Sequence, residues 1–348
     1  MAEGAYSIFI DGKPVTSAFS PVLISLTITD SDGGKSDTCE IELDDRGGQI
    51  SLPRAGAQID VKLWWKTPPA GTSGGAVQFS GKTDEPTSEG ARGGGMTISI
   101  SATSADHKGL GKHKTTKHKD NAKFGDVAQE WGKKAGLQVK VDSSLASISR
   151  DYWHMANESF LAWGKRVAED IGATFKVAHP NAVFVPRNSG NSASGAALST
   201  VAMTRPGNII NWRLSPVQNR AVYKQSKVRW YDAKKAKWMV ETVHIGDGDA
   251  DLTETFAHAD KDKATKKAGA NAEDAKRGKG GGSVTIDGNP AAKSQASAMV
   301  SGVRAGIDGQ YRITTARHSY TRSAGWTTSC DVEQPQGSTG TDNRKNGA

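Results

Sequence analysis

Thr38-Cys39-Glu40-Ile41-Glu42-Leu43-Asp44 carries an apolar residue at every second position, 39, 41 and 43, with polar residues between. A period of two sends one set of side chains to a core and the other to water, which is the pattern of a half-buried β-strand. The same alternation extends outward along the chain. Val22, Ile24, Leu26 and Ile28 alternate with Leu23, Ser25, Thr27 and Thr29. Ile59, Val61 and Leu63 alternate with Asp60, Lys62 and Trp64, and Met96, Ile98 and Ile100 with Thr97, Ser99 and Ser101. Asp32-Gly33-Gly34, Asp45-Arg46-Gly47-Gly48, residues 68–75 and Gly93-Gly94-Gly95 punctuate these runs as turns. Strands so spaced predict a small sandwich or barrel over residues 1–105.

The character changes after residue 105. His107–Lys119 is basic and reads as an exposed loop. Phe124, Val127, Ala128, Trp131 and Ala135 then recur at helical spacing, with Gly136 as stop signal. Val139–Val141 reads as a short strand. A second helix is predicted over Phe160–Ile171, where Trp163, Val167 and Ile171 share one face and Gly172 ends it. Thr174–Val177 and Val183–Val185 form an expected hairpin around Pro180-Asn181. Residues 106–190 are therefore α+β, and the Ser/Gly/Ala-rich stretch that follows predicts a linker over 191–205. From 206 to 333 strands return at Trp212–Leu214, Ala221–Asp232, Trp238–Val243, Val284–Ile286, Gln310–Tyr320 and Trp326–Val332. An Ala/Lys-rich helix is expected over Phe256–Lys276, within an insertion at about 251–295, with Ala264, Ala268, Ala272 and Ala275 as a small-residue face. The tail, 334–348, is polar enough to be expected disordered. The fold class is β-rich α+β.

Composition excludes several classes. The 348 residues hold 45 Lys+Arg against 37 Asp+Glu, a formal charge of +8 spread along the chain, which favours an acidic partner without naming one. No apolar run reaches the ~18–20 residues of a membrane-spanning helix, and Met1-Ala2-Glu3-Gly4 lacks a secretory n-region. Cys39 and Cys330 are too few for a disulfide framework or a four-thiolate zinc site and sit in the apolar phase of strands. The expectation is a soluble chain folded in a reducing cytoplasm.

Residues that bear chemistry form no recognisable catalytic or cofactor pattern. His107, His113 and His118 are interleaved with lysines 108, 112, 114, 117 and 119, whose charges repel a metal cation. The other five histidines make no HExxH or Cys/His pattern, and GxSxG is absent. Asp44-Asp45, Asp84-Glu85 and Glu169-Asp170 fall at turns or on a helix surface. Gly278–Gly282 follows Lys276 and Arg277 but lacks the phosphate-loop spacing, and reads as a break between helix and strand. The sequence implies no cofactor. Lys112, Lys114, Lys117 and Lys119 remain as candidate contacts to a polyanion, although no aromatic residue is interleaved with them for base stacking.

Asn157-Glu158-Ser159-Phe160 through Ala173-Thr174-Phe175 resembles the signature of the phage late control D family, the hubs of contractile tails. Glu158-Ser159, Arg166, Val167-Ala168, Gly172 and Phe175 match without a gap. Phe160 stands where the family has Asp, and Trp163-Gly164 where it has Phe-Leu. Three further stretches are similar, in order: Thr29-Asp30 to Gly56-Ala57, then Ser104-Ala105-Asp106 to Ala135-Gly136-Leu137, and Val303-Arg304-Ala305-Gly306-Ile307-Asp308-Gly309 to Ile313 with His318-Ser319-Tyr320. Together they cover residues 20–330. The resemblance implies two small β-barrels separated by an α+β insertion domain, with a helical insertion in the second barrel region. It also implies a homotrimer whose six barrels join a sixfold tail tube to a threefold spike. Its implied partners are a spike protein, a tail tube or tube-initiator protein and a tape measure protein, in the baseplate of a virion assembled in a bacterial cytoplasm, with DNA passing through a central channel. Glu158, Ser159, Arg166, Gly172, Phe175, Gly306, Asp308 and Gly309 are then structural: Ser159 or Asn157 caps the helix, and Arg166 pairs with Glu158 or Glu169. The competing readings are a tail-associated peptidoglycan hydrolase or glycan-binding component, and a polyanion-binding β protein. A hydrolase needs an unassigned stretch of ~100 residues, which the chain does not offer.

Overall fold

Leu23 and Ile24 exchange roles relative to the simple alternation. In the computed structural model of the chain Leu23 is buried and Ile24 is 38% exposed, because a register shift between Leu23 and Ser25 flips the phase before Leu26 and Ile28 enter the core. The structure describes residues 2–32, 35–69, 72, 74–92, 94–104, 109–178, 180–187, 197–215, 223–246, 248–277 and 280–333.

The first part of the chain forms β1 (Glu3–Ile10), β2 (Lys13–Pro14), the one-turn helix α1 (Thr16–Phe19), β3 (Leu23–Ser31), β4 (Thr38–Asp44), β5 (Gln58–Thr67), β6 (Ala76–Thr83), β7 (Thr87–Ala91) and β8 (Gly95–Thr103). Next come β9 (Thr115–Lys123), α2 (Phe124–Lys134), β10 (Gln138–Val141), α3 (Ser143–Ala146), β11 (Ser149–Glu158), α4 (Phe160–Asp170), β12 (Ala173–Ala178) and β13 (Asn181–Pro186). The last part holds β14 (Val201–Thr204), β15 (Ile209–Ser215), β16 (Tyr223–Asp232), β17 (Lys237–His244), β18 (Ala250–Thr253), α5 (Lys261–Arg277), β19 (Gly281–Asp287), β20 (Ser297–Ser301), β21 (Gly309–Thr321) and β22 (Gly325–Glu333).

The two β sets are not separate closed barrels among the described residues. They share one 14-stranded sheet, ordered β15-β19-β22-β21-β3-β4-β8-β6-β5-β1-β2 with β7, β14 and β20 at its branches. The reason lies in β3. One edge pairs with β4, and the other, which would have to meet β1 to close the first set, pairs antiparallel with β21 from Thr315↔Ser31 to Thr321↔Ser25. Two apolar clusters flank this seam. Leu26, Ile41, Leu43, Ile59 and Ile100 fill the first, and Val284, Ile286, Tyr311, Ile313 and Cys330 the second. Trp326 of β22 packs into the first cluster, so the seam is buried by both sets of apolar side chains.

The middle segment builds its own core. Phe124, Trp131, Trp153, Trp163 and Phe184 are all at most 2% exposed and are linked in one chain of ring contacts centred on Phe124 and Trp163. Each such aromatic removes ~150–250 Å² from water, and Trp153 satisfies its indole N–H on the Ala122 carbonyl at 2.8 Å. α2 and α4 begin and end close to the positions expected from the apolar period, and Gly136 and Gly172 both take positive φ, +78° and +68°, just past their helices. The basic segment departs from expectation. Residues 105–108 lie outside the described residues, but from Thr115 the chain is not a loop; β9 pairs with β11 as a two-stranded ribbon. Polar residues occupy both faces of β9, so no period of two marks it.

Two further expectations change. Residues 191–196 of the expected linker lie outside the described residues, while Val201–Thr204, placed in the linker, is β14 and pairs in parallel with β20. The strands Tyr223–Asp232 and Lys237–His244, assigned to the second β set, instead form a separate sheet β17-β16-β18. α5 packs on it through Ala264 and Ala268 against Val228, so the helical insertion carries its own sheet; α5 starts at Lys261 rather than 256. The expected tail, 334–348, lies outside the described residues.

Candidate functional site

The residues of the family-like signature come together as a packing unit. Ser159 Oγ accepts from the Ala162 N–H at 3.2 Å and caps α4; Asn157 does not. Arg166 donates in a fork to both carboxylate oxygens of Glu158 and also to the His154 carbonyl, leaving Glu169 out. A side chain at Gly164 would lie 2.7 Å from the Phe175 ring, so the absence of a Cβ there lets Phe175 seat against α4 and stack on Phe184 at 4.5 Å. The second signature region is a turn organised by Asp308, whose carboxylate accepts from the N–H groups of Gly302, Val303 and Arg304 at 2.9–3.1 Å. Gly306 and Gly309 carry φ of +81° and +148° around it. These contacts position backbone and offer no reactive group.

The candidate lysines separate. Lys112 and Lys114 are exposed. Lys119 pairs with Glu130 on α2, and with Lys134 it holds that carboxyl down to about 2; Lys117 is half-buried beside it. The fold also supplies what the primary order lacks: Tyr152 of β11 stacks on His118 of β9 at 6.0 Å and on His154 at 5.6 Å.

The strongest electrostatic feature is a buried charged junction that sequence spacing did not reveal. Lys176 of β12 reaches from the middle segment into the seam and pairs with Asp30 at the end of β3 and with Asp37 at 2.9 Å. Ser294, from the segment before β20, donates its hydroxyl to Asp30 at 2.6 Å and its N–H at 3.2 Å. One turn of strand away, Asp32 accepts from Thr174 at 3.3 Å and from Gln295 at 2.9 Å, and Arg312 donates to Gln295. Three parts of the chain thus meet at one polar cluster: β3 of the first set, β12 of the middle segment, and the 294–295 segment and β21 of the last.

Charge in this cluster is unequal, with two carboxylates facing one ammonium. Burial alone raises Asp30, but the Lys176 charge and hydrogen bond outweigh it and hold Asp30 below the ordinary carboxylate range. Burial raises Asp37 to about 6, and the nearby Asp30 adds to the rise against the pull of Lys176. Burial works against the Lys176 charge, yet the two carboxylates hold its pKa above the ordinary lysine value. His318 lies close by. Burial pushes it down to about 4, against Asp30 and the Ala292 carbonyl. Its Nε2 meets that carbonyl at 3.0 Å and its Nδ1 meets Thr328 Oγ1 at 3.0 Å. A carbonyl only accepts, so Nε2 carries the proton and Nδ1 accepts from Thr328.

These shifts oppose one another in one pH window. Asp37 is raised on folding, so its contribution to stability is full below its unfolded pKa and is lost as pH rises through about 6. His318 is lowered, so its contribution is full above its unfolded pKa and is lost as pH falls towards about 4. Each is worth on the order of a few kcal/mol across the window, and they act in opposite directions. Asp37→Asn should therefore expose the His318 slope, with urea midpoints falling steeply from pH 7 to pH 4. His318→Gln should do the reverse. Parallel profiles for wild type and Asp37→Asn would disprove the compensation.

The same cluster borders a cleft of about 770 Å³, lined in part by Asp30, Asp37, Asp60, Lys62, Lys293 and His318. Its ionisable groups at the junction are already engaged. Cys39 and Cys330 are buried, and burial raises both thiols, Cys330 to about 12. Among the described residues no three His, Cys, Asp or Glu side chains converge as metal ligands, and no helix is long and apolar enough to cross a membrane. Asp44 and Asp45 accept backbone N–H groups in their turn. The hydroxyl–imidazole pair at the junction, Thr328 with His318, is buried on both sides and serves packing.

No protein-family model matches the chain. Among curated proteins it is similar to the probable baseplate hub protein of Escherichia phage 186, with 28% identity over 241 residues, 69% of this chain and 59% of that protein. It is equally similar to the probable baseplate hub protein of Escherichia phage P2, 28% over 232 residues, 67% of this chain and 57% of that one. The chain therefore spans less than two thirds of the length of these curated relatives. Among solved structures, the 43 kDa tail protein of prophage MuSo2 from Shewanella oneidensis aligns over 98% of this chain and 100% of its own, with TM-score 0.68 and 16% identity. That likeness is one of fold.

Proposed function

We propose, from the chain's resemblance to the phage baseplate hub family, that it is a structural hub in the tail baseplate of a contractile injection machine. The observation that carries this reading is the 28% identity to two baseplate hub proteins across two thirds of the chain. The junction supports it physically. A hub transmits load between neighbours, and here three parts of one chain are tied by a buried salt-bridged cluster and a strand seam rather than by a flexible hinge. No catalytic role belongs to this reading.

The finer picture is a homotrimer. Each β set serves as one barrel-like unit of a six-unit ring that joins a sixfold tube to a threefold spike, with a tape measure protein above. Two β sets joined through β3 and β21 in each chain suit a threefold ring of six similar units. In this assembly Lys112 and Lys114, the exposed pair of the four lysines, line the DNA path, with Lys117 and Lys119 behind them. Cryo-imaging of purified particles carrying an affinity-tagged chain tests the proposal: three copies are expected in the virion at the base of the tube. A copy number of six, a chain absent from particles, or peptidoglycan clearing that depends on one of its carboxylates would overturn it. Particles with Lys112→Gln and Lys114→Gln should assemble normally and deliver DNA more slowly; unchanged delivery removes the lysines from the path.

A further inference from the structure

Among the described residues the insertion sheet β17-β16-β18 is covered on one side only. Val228, Trp230 and Val243 face α5, and Glu241 is held there by the Trp230 indole N–H at 3.0 Å and the Thr265 hydroxyl. The opposite face is open and apolar at its centre. Trp238 is 63% exposed, Val240 50% and Tyr231 43%, with Tyr231 and Trp238 paired across the strands at 5.2 Å in a T-shaped contact. Arg229 lies directly opposite Val240.

β17 is also an open edge. Among the described residues it pairs only with β16, over eight unshifted residue pairs, whereas β18 on the other side of β16 is interrupted by a register shift. Its sequence, Lys237 to His244, contains no proline or glycine to blunt it. A straight edge that also exposes a tryptophan and a valine invites uncontrolled strand pairing unless something covers it.

Charge decides what that cover is. Lys234, Lys235 and Lys237 are exposed at the β16–β17 turn and Arg229 on the face. The nearby acids are engaged: Asp251 by Lys227 at 2.5 Å, and Asp232 by the N–H groups of Lys234 and Lys235. A second copy would bring the same cations and repel. A nucleic acid would satisfy the charge but not the unpaired backbone of β17, and the Tyr231–Trp238 pair turns the rings toward each other rather than leaving a platform. We propose that β17 receives an extended acidic segment of a partner protein as a fourth strand, its alternate apolar side chains packing on Trp238 and Val240. This does not depend on the hub reading.

The test uses the full chain at low salt and a fluorescein-labelled peptide of about ten residues alternating glutamate and valine. A lysine–valine peptide and an oligothymidylate of about fifteen nucleotides serve as comparisons. Saturable anisotropy change with the glutamate peptide is expected, with hydrogen-exchange protection of the backbone amides of residues 237–244. Trp238→Ser and Val240→Glu, both at exposed positions, should each weaken binding roughly tenfold or more while circular dichroism stays unchanged. The proposal is overturned if the glutamate peptide fails to bind or binds the variants equally. Protection elsewhere than β17, preferential binding of the lysine peptide or the oligonucleotide, or self-association through β17 would overturn it as well.

Discussion

Lys176→Met should lower the stability of the folded chain by about 3–5 kcal/mol at pH 7, the cost of stranding buried charge without its partner. Asp30 and Asp37 face the Lys176 ammonium at the point where β3, β12 and the segment before β20 meet. Methionine keeps the length of the stem but leaves two carboxylates, each about four-fifths buried, without the ammonium that pairs them. The pH dependence identifies the mechanism. With the ammonium gone both carboxyls titrate upward, so acid neutralises them and the deficit should shrink markedly at pH 4. Adding Asp30→Asn and Asp37→Asn to Lys176→Met should restore most of the loss. Urea unfolding at the two pH values measures this; a deficit below about 1 kcal/mol, or one independent of pH, would mean the cluster contributes little.

Gly302→Ala is the second large effect, and it depends on backbone rather than charge. Gly302 has φ of +78°, and an added Cβ would lie 1.8 Å from the Arg205 carbonyl oxygen, where β14 and β20 end side by side. Neither partner is the tip of a flexible side chain, so the strands themselves must separate. Strain and overpacking together should cost about 3 kcal/mol or more. Gly306 is the internal control. It has a similar φ of +81° with nothing within 4 Å of the added Cβ, so Gly306→Ala should cost only the conformational strain, about 1–2 kcal/mol. Thermal unfolding of the two variants separates steric from conformational cost; equal losses would show that the close approach at Gly302 does not matter.

Much of the fold was readable from local chemistry. Period-two runs located β4, β5, β8 and β22, and helical spacing with a following glycine located α2 and α4. The ribbon of β9 and β11 escaped because Lys117 and Lys119 on one face and His118 and Asp120 on the other leave no apolar phase to detect. The shift in β3 escaped because a bulge inverts the phase without changing composition. Of the candidate site, the signature contacts of Glu158, Ser159 and Arg166 were within reach because they lie eight residues apart or fewer. The charged junction was not. Lys176 sits between Phe175 and Val177 and reads as a solvent-facing strand residue, while its partners Asp30 and Asp37 are about 140 positions away.

Local states follow from the order of residues alone: which segments extend, which coil, where glycine ends a helix, and which family the ordered motifs resemble. These depend on side-chain periodicity and backbone preference within a few residues. Long-range packing set the rest: the two β sets share one sheet, two strands leave the second set to form the insertion with α5, and Lys176 ties the parts together. Those outcomes depend on which strand edge meets which across hundreds of residues, and on the desolvation of charges whose partners are set by folding rather than by spacing.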